Sequence, residues 1–201
     1  MSEFNNYLPT VRDQYEDLPY PARDPEDEKN RLLETWTDSL GKINHYCFGG
    51  RQNFQNGFRV LIGGGGTGDA TIYLAEQLRN TNAEIIHLDM SAASIAIAKQ
   101  RAAKRGLINI SFVHDSLLNI SPARFGRFDY IQCTGVLHHL ENPDVGFKVL
   151  KSVLKPEGAM CLLVYGQIGR TGVYQMQALL KALNGDTTDK KTLIQRARDV
   201  I

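Results

Sequence analysis

Apolar residues recur along this chain in two alternating rhythms. Short runs of strand length fall at Arg59-Val60-Leu61-Ile62, Ala83-Glu84-Ile85-Ile86-His87-Leu88, residues 108–113, Phe128-Asp129-Tyr130-Ile131-Gln132-Cys133 and residues 159–165. Between them apolar residues return every three or four positions: Ile72, Ala75 and Leu78 with the stem of Gln77, then Ile95, Ala98 and Ala102, then Val145, Val149, Val153 and Leu154. The helical stretches carry start and stop signals. Ser91 caps one that Gly106 ends, and Asn142-Pro143 opens one that Pro156 stops. Five strands alternating with helices over short connections predict a mostly parallel sheet covered on both faces, an α/β Rossmann-like three-layer sandwich.

The flanks are less periodic. Residues 1–23 are polar and rich in tyrosine and proline, and they predict an irregular arm, either folding its aromatics over a ligand or partly ordered. Asp24-Pro25-Glu26-Asp27-Glu28 predicts a helix start, with Leu32, Leu33, Trp36, Leu40 and Ile43 on its buried face and a loop over residues 44–58. Residues 1–57 thus form an arm and helix covering the site, and residues 58–201 the α/β domain. After Tyr165 only a short linker and two helices are read, over residues 173–183 and from 188 onward, with no sixth or seventh strand. The chain stops inside a helical pattern, so it is expected to be a truncated piece of a longer protein, or one whose sheet another chain closes.

The candidate chemistry centres on Gly63-Gly64-Gly65-Gly66-Thr67-Gly68, where the first strand passes directly into a helix. Glycines there reach torsions closed to other residues and let a ligand touch bare main chain. The first N–H groups of the following helix favour an anionic end of that ligand. Two spacings fit. Gly63, Gly65 and Gly68 satisfy G-x-G-x-x-G, the dinucleotide fingerprint, and Gly64, Gly66 and Gly68 satisfy G-x-G-x-G. Asp89, about twenty residues on, suits ribose hydroxyls or else caps the helix near Ser91; Asp115, ending the third strand, suits an adenine amino group or caps Ser116-Leu117-Leu118.

Composition narrows the partners. The 201 residues are 42% hydrophobic with a formal charge of +1, enough for one α/β core, and the basic residues are dispersed, so nucleic acid is not expected. No apolar run reaches membrane-spanning length, and Met1-Ser2-Glu3-Phe4-Asn5 lacks a basic-then-apolar leader, which reads as cytoplasmic. Cys47, Cys133 and Cys161 are far apart and form no C-x-x-C pair, so neither a disulfide framework nor a metal site is suggested.

Residues 60–165 resemble the class I S-adenosylmethionine-dependent methyltransferase family. The likeness rests on the glycine block ending in Gly-Thr-Gly, on Val136-Leu137-His138-His139-Leu140 after the fourth strand, and on Val153-Leu154-Lys155-Pro156 before the fifth. It implies S-adenosylmethionine as cofactor, with Gly64, Gly65, Gly66 and Gly68 at its methionyl end, Asp89 and Met90 at the ribose, Asp115 and Ser116 at the adenine, and Thr134-Gly135 near the sulfonium. His138, His139 and Tyr165 are then the candidates for work on the acceptor, for which a small molecule is favoured. Arg170 is a candidate for holding a substrate carboxylate.

Three departures accompany the likeness. Ile62 stands where the family usually ends its first strand with an acid, Glu157 stands where a second glycine is usual so that residues 155–158 are expected to form a type I turn, and the last two strands are missing. A nicotinamide-dependent oxidoreductase and a cofactor-binding module without transfer are the competing readings.

Overall fold

The computed structural model describes residues 9–200, so the first eight residues of the expected arm, with Ile201, lie outside the described residues. Two compact units divide the chain, Met1–Val164 and Tyr165–Ile201. The first holds β1 (Arg59–Gly63), β2 (Glu84–Asp89), β3 (Ile110–His114), β4 (Phe128–Thr134) and β5 (Leu154–Leu163) in one sheet ordered β3-β2-β1-β4-β5. Every neighbouring pair is parallel. Its helices are α1 (Pro9–Asp17), α2 (Leu40–Phe48), α3 (Asp69–Gln77), α4 (Ala92–Arg105), α5 (Pro122–Phe125) and α6 (Pro143–Ser152).

Side chains alternate across the central strand into two cores. Val60 and Ile62 pack with Ile43 of α2, Leu74 and Leu78 beside α3, and Tyr130. Leu61 packs with Leu88, Ile131, Leu150 and Val153 on the other face. Residues 60–63 are buried throughout, which is why β1 reads as a continuous apolar run. Each such side chain contributes roughly 1.5–3 kcal/mol by leaving water. Because β1 continues to β2 on one side and β4 is added on the other, the strand order reverses between β1 and β4, and a crevice opens beyond their carboxyl ends.

The caps fall where the residues place them. Ser91 Oγ accepts from Ser94 N, Gly106 ends α4 at φ +63, and Asn142 accepts from Asp144 N ahead of Pro143. Four boundaries differ from the expectation. Residues 9–17 are helical rather than irregular, because α1 docks on α4. The helix opened by Asp24, which does accept from Glu26 N, is only a 3-10 turn, Pro25–Lys29. The chain leaves helical geometry there, since Glu28 is drawn to Arg101 of α4 while the Asp38 carbonyl is held by Gln77 of α3, and Trp36 is left exposed. The loop expected from residue 44 begins later, since α2 runs to Phe48 before Gly49 ends it at φ +59. Lastly, Lys155-Pro156-Glu157-Gly158 is no separate type I turn but lies within β5, absorbed by a register shift opposite Phe128 and Tyr130.

The second unit consists of a 3-10 turn, Ile168–Arg170, and the helices α7 (Thr171–Asn184) and α8 (Lys190–Val200). Neither helix buries a residue. Among the described residues no strand follows β5, and no helix is long and apolar enough to cross a membrane.

Candidate functional site

The glycine turn after β1 is held from beneath and confined from three sides. The N–H groups of Gly64 and Gly65 both donate to the Leu88 carbonyl, 2.8 and 3.0 Å away, tying the turn to the end of β2. Gly64 and Gly66 adopt φ +75 and +53, where an L side chain costs about 1–2 kcal/mol. A Cβ at Gly64 would lie 2.3 Å from the Val136 side chain, one at Gly65 2.3 Å from the His87 ring, and one at Gly66 2.7 Å from the Tyr20 carbonyl oxygen. Gly68 caps α3, so that helix starts at Asp69, two residues later than the pattern suggests. His87 is fully buried, accepts or donates at Nδ1 to Thr71 Oγ1 (2.8 Å), and burial pushes its pKa down to about 4, so the ring under the turn is neutral at pH 7.

Asp89 sits at the edge of this turn. Its Oδ2 accepts from Gly66 N at 2.7 Å and its Oδ1 from Ser91 N at 2.8 Å. Burial raises its pKa, outweighing the lowering effect of the Ser91, Gly66 and Met90 N–H groups and of the nearby His114. The carboxylate braces the turn and the start of α4, and it keeps lone pairs beyond those two bonds. Met90 follows, its carbonyl facing His114 Nε2 at 3.0 Å.

Asp115 is engaged differently. Its Oδ1 accepts from Ser116 N and Asn119 Nδ2, both at 2.7 Å, and its Oδ2 pairs with Arg124 of α5. Burial alone would raise this carboxyl, but the Asn119 and Arg124 bonds outweigh it and hold the pKa below the usual value. Ser116 is buried and accepts from Leu118 N, capping the 3-10 turn Leu117–Asn119.

At the end of β4, Thr134 Oγ1 faces Gln132 Nε2 at 2.8 Å, and Gly135 N donates to Leu163 O at the end of β5. Val136 then packs on Gly64, and the 3-10 turn Leu137–His139 brings the His138 and His139 rings to 4.3 Å between centroids. Tyr165 and Arg170 belong to the second unit, with the Arg170 guanidinium 3.8 Å above the Tyr165 ring.

The N-terminal segment supplies site residues that periodicity does not reveal. Glu16 accepts from the Ala92 and Ala93 N–H groups at the start of α4, 2.6 and 3.1 Å away, and the Ser91 hydroxyl donates to the Tyr15 carbonyl. Tyr15 Oη lies 3.4 Å from His139 Nε2. Farther on, Thr67 Oγ1 donates to the Pro21 carbonyl, and Arg23 holds Asp69 through two bonds of 2.8 and 2.6 Å. Arg101, fully buried, then links Glu28, the Thr67 carbonyl and Asp69. Truncating such a guanidinium leaves two carboxylates short of a cation, a loss on the order of 3–5 kcal/mol. An arginine and glutamate 73 positions apart give no sequence signal.

A family model described as a methyltransferase domain matches residues 55–198. The chain belongs to the class I S-adenosylmethionine-dependent methyltransferase family. An uncharacterized protein of Synechococcus sp. is 43% identical over 129 residues, which are 64% of this chain and 30% of that protein. The tRNA 5-carboxymethoxyuridine methyltransferase of Escherichia coli K12 is 33% identical over 112 residues, 55% of this chain and 41% of its own. The demethylmenaquinone methyltransferase of Geobacillus sp. is 30% identical over 126 residues, 63% and 53% respectively. The chain thus spans about a third to a half of the length of these relatives. Among solved structures, PKMT2 from Rickettsia typhi in complex with AdoHcy shares the fold with a TM-score of 0.59 at 24% identity, over 71% of this chain and 27% of that one.

Two features of this methyltransferase domain bear on the family's ligand. Ile62 is buried in the α3-side core, so the first strand presents no side chain to the crevice in place of the usual acid. The turn's outward surface is also poorly made for a pyrophosphate, since Gly66 N is taken by Asp89 and the Tyr20 carbonyl oxygen stands against Gly66. A phosphate there would meet a carbonyl oxygen. An ammonium group would be welcomed by it.

Proposed function

We propose that this domain binds S-adenosylmethionine across the β1–β4 crevice and transfers its methyl group to a small-molecule acceptor in the cytoplasm. The observation that carries the reading is the glycine turn at the reversal of strand order, with the buried Asp89 carboxylate at its edge. When bound, the cofactor supplies an already activated methyl on a sulfonium. What the chain has to add is alignment and exclusion of water, and positioning alone can lower a barrier by several kcal/mol.

We assign the roles as follows. Gly64, Gly65, Gly66 and Gly68 shape the turn that faces the amino-acid tail, and the Tyr20 carbonyl takes the ammonium that Ile62 cannot. Asp89, beside Met90, accepts from ribose hydroxyls while bracing Gly66. Asp115 and Ser116 bound the adenine, with the Arg124 pair closing that side. Thr134 and Gly135 form the rim next to the reacting carbon. His138 and His139 supply the imidazole nitrogens that hold or take a proton from an acceptor that arrives protonated. Tyr165, at the start of the second unit, is a candidate for the acceptor by its sequence position two residues after β5 alone, and residues 9–57 act as the cover.

Support for a small acceptor comes from relatives such as the demethylmenaquinone methyltransferase, and from a net charge of +1 with no basic stripe. The tRNA methyltransferase among the relatives keeps a nucleic-acid acceptor as the second reading. The test is transfer of labelled methyl from S-adenosylmethionine, run separately with small aromatic and quinol acceptors and with total tRNA. Label in the small-molecule fraction, lost with Asp89→Ala, is expected. Label confined to tRNA would move the assignment to the second reading.

A further inference from the structure

The N-terminal segment touches both halves of the site at once, and this joins them. Glu16 sits on the first two N–H groups of α4, at the edge where Asp89 braces Ser91 and Gly66. One residue away in the same helix turn, Tyr15 reaches His139, which lies beyond β4 on the other side of the crevice. The rings of Tyr15 and His139 meet edge to face with centroids 6.1 Å apart. Downstream the segment continues over the glycine turn, with the Tyr20 carbonyl against Gly66 and the Pro21 carbonyl on Thr67, and it is pinned by Arg23 to Asp69. No other described segment makes these contacts to α4, the glycine turn and His139 together.

We propose that Tyr15 is a positioning residue for His139, and that Glu16, by latching α1 onto the N-terminus of α4 beside the Ser91 bond to the Tyr15 carbonyl, sets how firmly it is delivered. His139 is then set for the acceptor when the cofactor floor is covered, and it is released when the latch opens. The physical basis is leverage within one helix turn. Glu16 contributes a charged acceptor to two N–H groups that have no partner inside α4, at the end where the helix dipole favours an anion. A bond of this kind changes an equilibrium by roughly tenfold or more, whereas the 3.4 Å Tyr15–His139 contact is too long to hold the segment by itself. The latch therefore controls the histidine, not the reverse. The role assigned to His139 rests on the functional reading above; the coupling does not.

The test uses the whole chain and nuclear magnetic resonance, following the His139 ring Cε1–H resonance and the exchange rates of the Ala92 and Ala93 amides. Glu16→Ala is expected to speed exchange at both amides about tenfold and to shift the His139 resonance. Glu16→Gln, which keeps an acceptor oxygen, should recover part of both effects. Tyr15→Phe should shift His139 in the same direction and leave the two amides protected. An unmoved His139 resonance in Glu16→Ala, with Ala92 and Ala93 exchanging faster, would overturn the coupling, and so would a Tyr15→Phe spectrum like that of the parent. Adding S-adenosylhomocysteine to each sample separates the two readings. Absence of any shift on the glycine turn removes the cofactor assignment, while the latch is still read from the ligand-free spectra.

Discussion

The carboxylates that end β2 and β3 occupy neighbouring places along the same sheet edge and are held in opposite ways. Asp89 is buried among N–H dipoles, with no ion pair to it among the described residues, and its pKa rises. Asp115 is saturated by Asn119, its own following N–H and Arg124, and its pKa falls despite burial. Two acids that look alike in sequence are thus one charge awaiting further donors and one already neutralised. The carboxylate at the β2 end therefore keeps more acceptor capacity than the one after β3.

Substitution should expose that difference. Asp89→Ala leaves the Gly66 and Ser91 N–H groups without their acceptor and loosens the glycine turn, so a loss of about 3 kcal/mol is expected in urea unfolding. An Asp89→Ala variant as stable as the parent would mean that the Gly66 and Ser91 N–H groups do not depend on this carboxylate.

Acid should then separate them by sign. Asp115, with its folded pKa below the ordinary carboxylate value, contributes stability that is present at neutral pH and lost as pH falls below that ordinary value. Asp89, with its folded pKa above it, contributes most below the ordinary value and loses that contribution as pH rises through the folded pKa. Parent-minus-variant stability for Asp115→Asn and Asp89→Asn, measured from pH 3 to 6, should slope in opposite directions. Parallel slopes would contradict the two environments described here.

The smallest effect belongs to Arg124→Ala. Its guanidinium is half exposed, so solvent screens the pair and the loss should stay under about 1 kcal/mol, with a small upward shift in the Asp115 titration. A larger loss would mean that Arg124 anchors α5 and not merely the carboxylate.

Much of this arrangement was legible in the residues. The strand-to-helix alternation, the caps at Ser91, Gly106 and Asn142, and the glycine turn all rest on local patterns that the fold obeys. The misses share a cause. Residues 9–17, Pro-Thr-Val-Arg-Asp-Gln-Tyr-Glu-Asp, hold almost no apolar stripe, and their helix is stabilised by docking onto α4 through Glu16 and Tyr15. The apolar spacing from Leu32 to Ile43 suggested one long helix, but buried Glu28 and Asp38 answer to different partners and break it. Arg101 lies in a polar stretch of α4 that no sequence pattern marks, and is among the most buried side chains of the protein. Local patterns report elements; long-range polar pairings, which here set the entrance to the site, leave no periodic trace.

The central claim is that the glycine turn and Asp89 hold a sulfonium nucleoside and not a dinucleotide, and titration calorimetry of the chain with S-adenosylhomocysteine and, separately, with NADH tests it most directly. The account predicts saturable binding of S-adenosylhomocysteine that Asp89→Asn weakens by about tenfold or more, with no heat from NADH. Saturable binding of NADH, or S-adenosylhomocysteine affinity indifferent to Asp89, would contradict it.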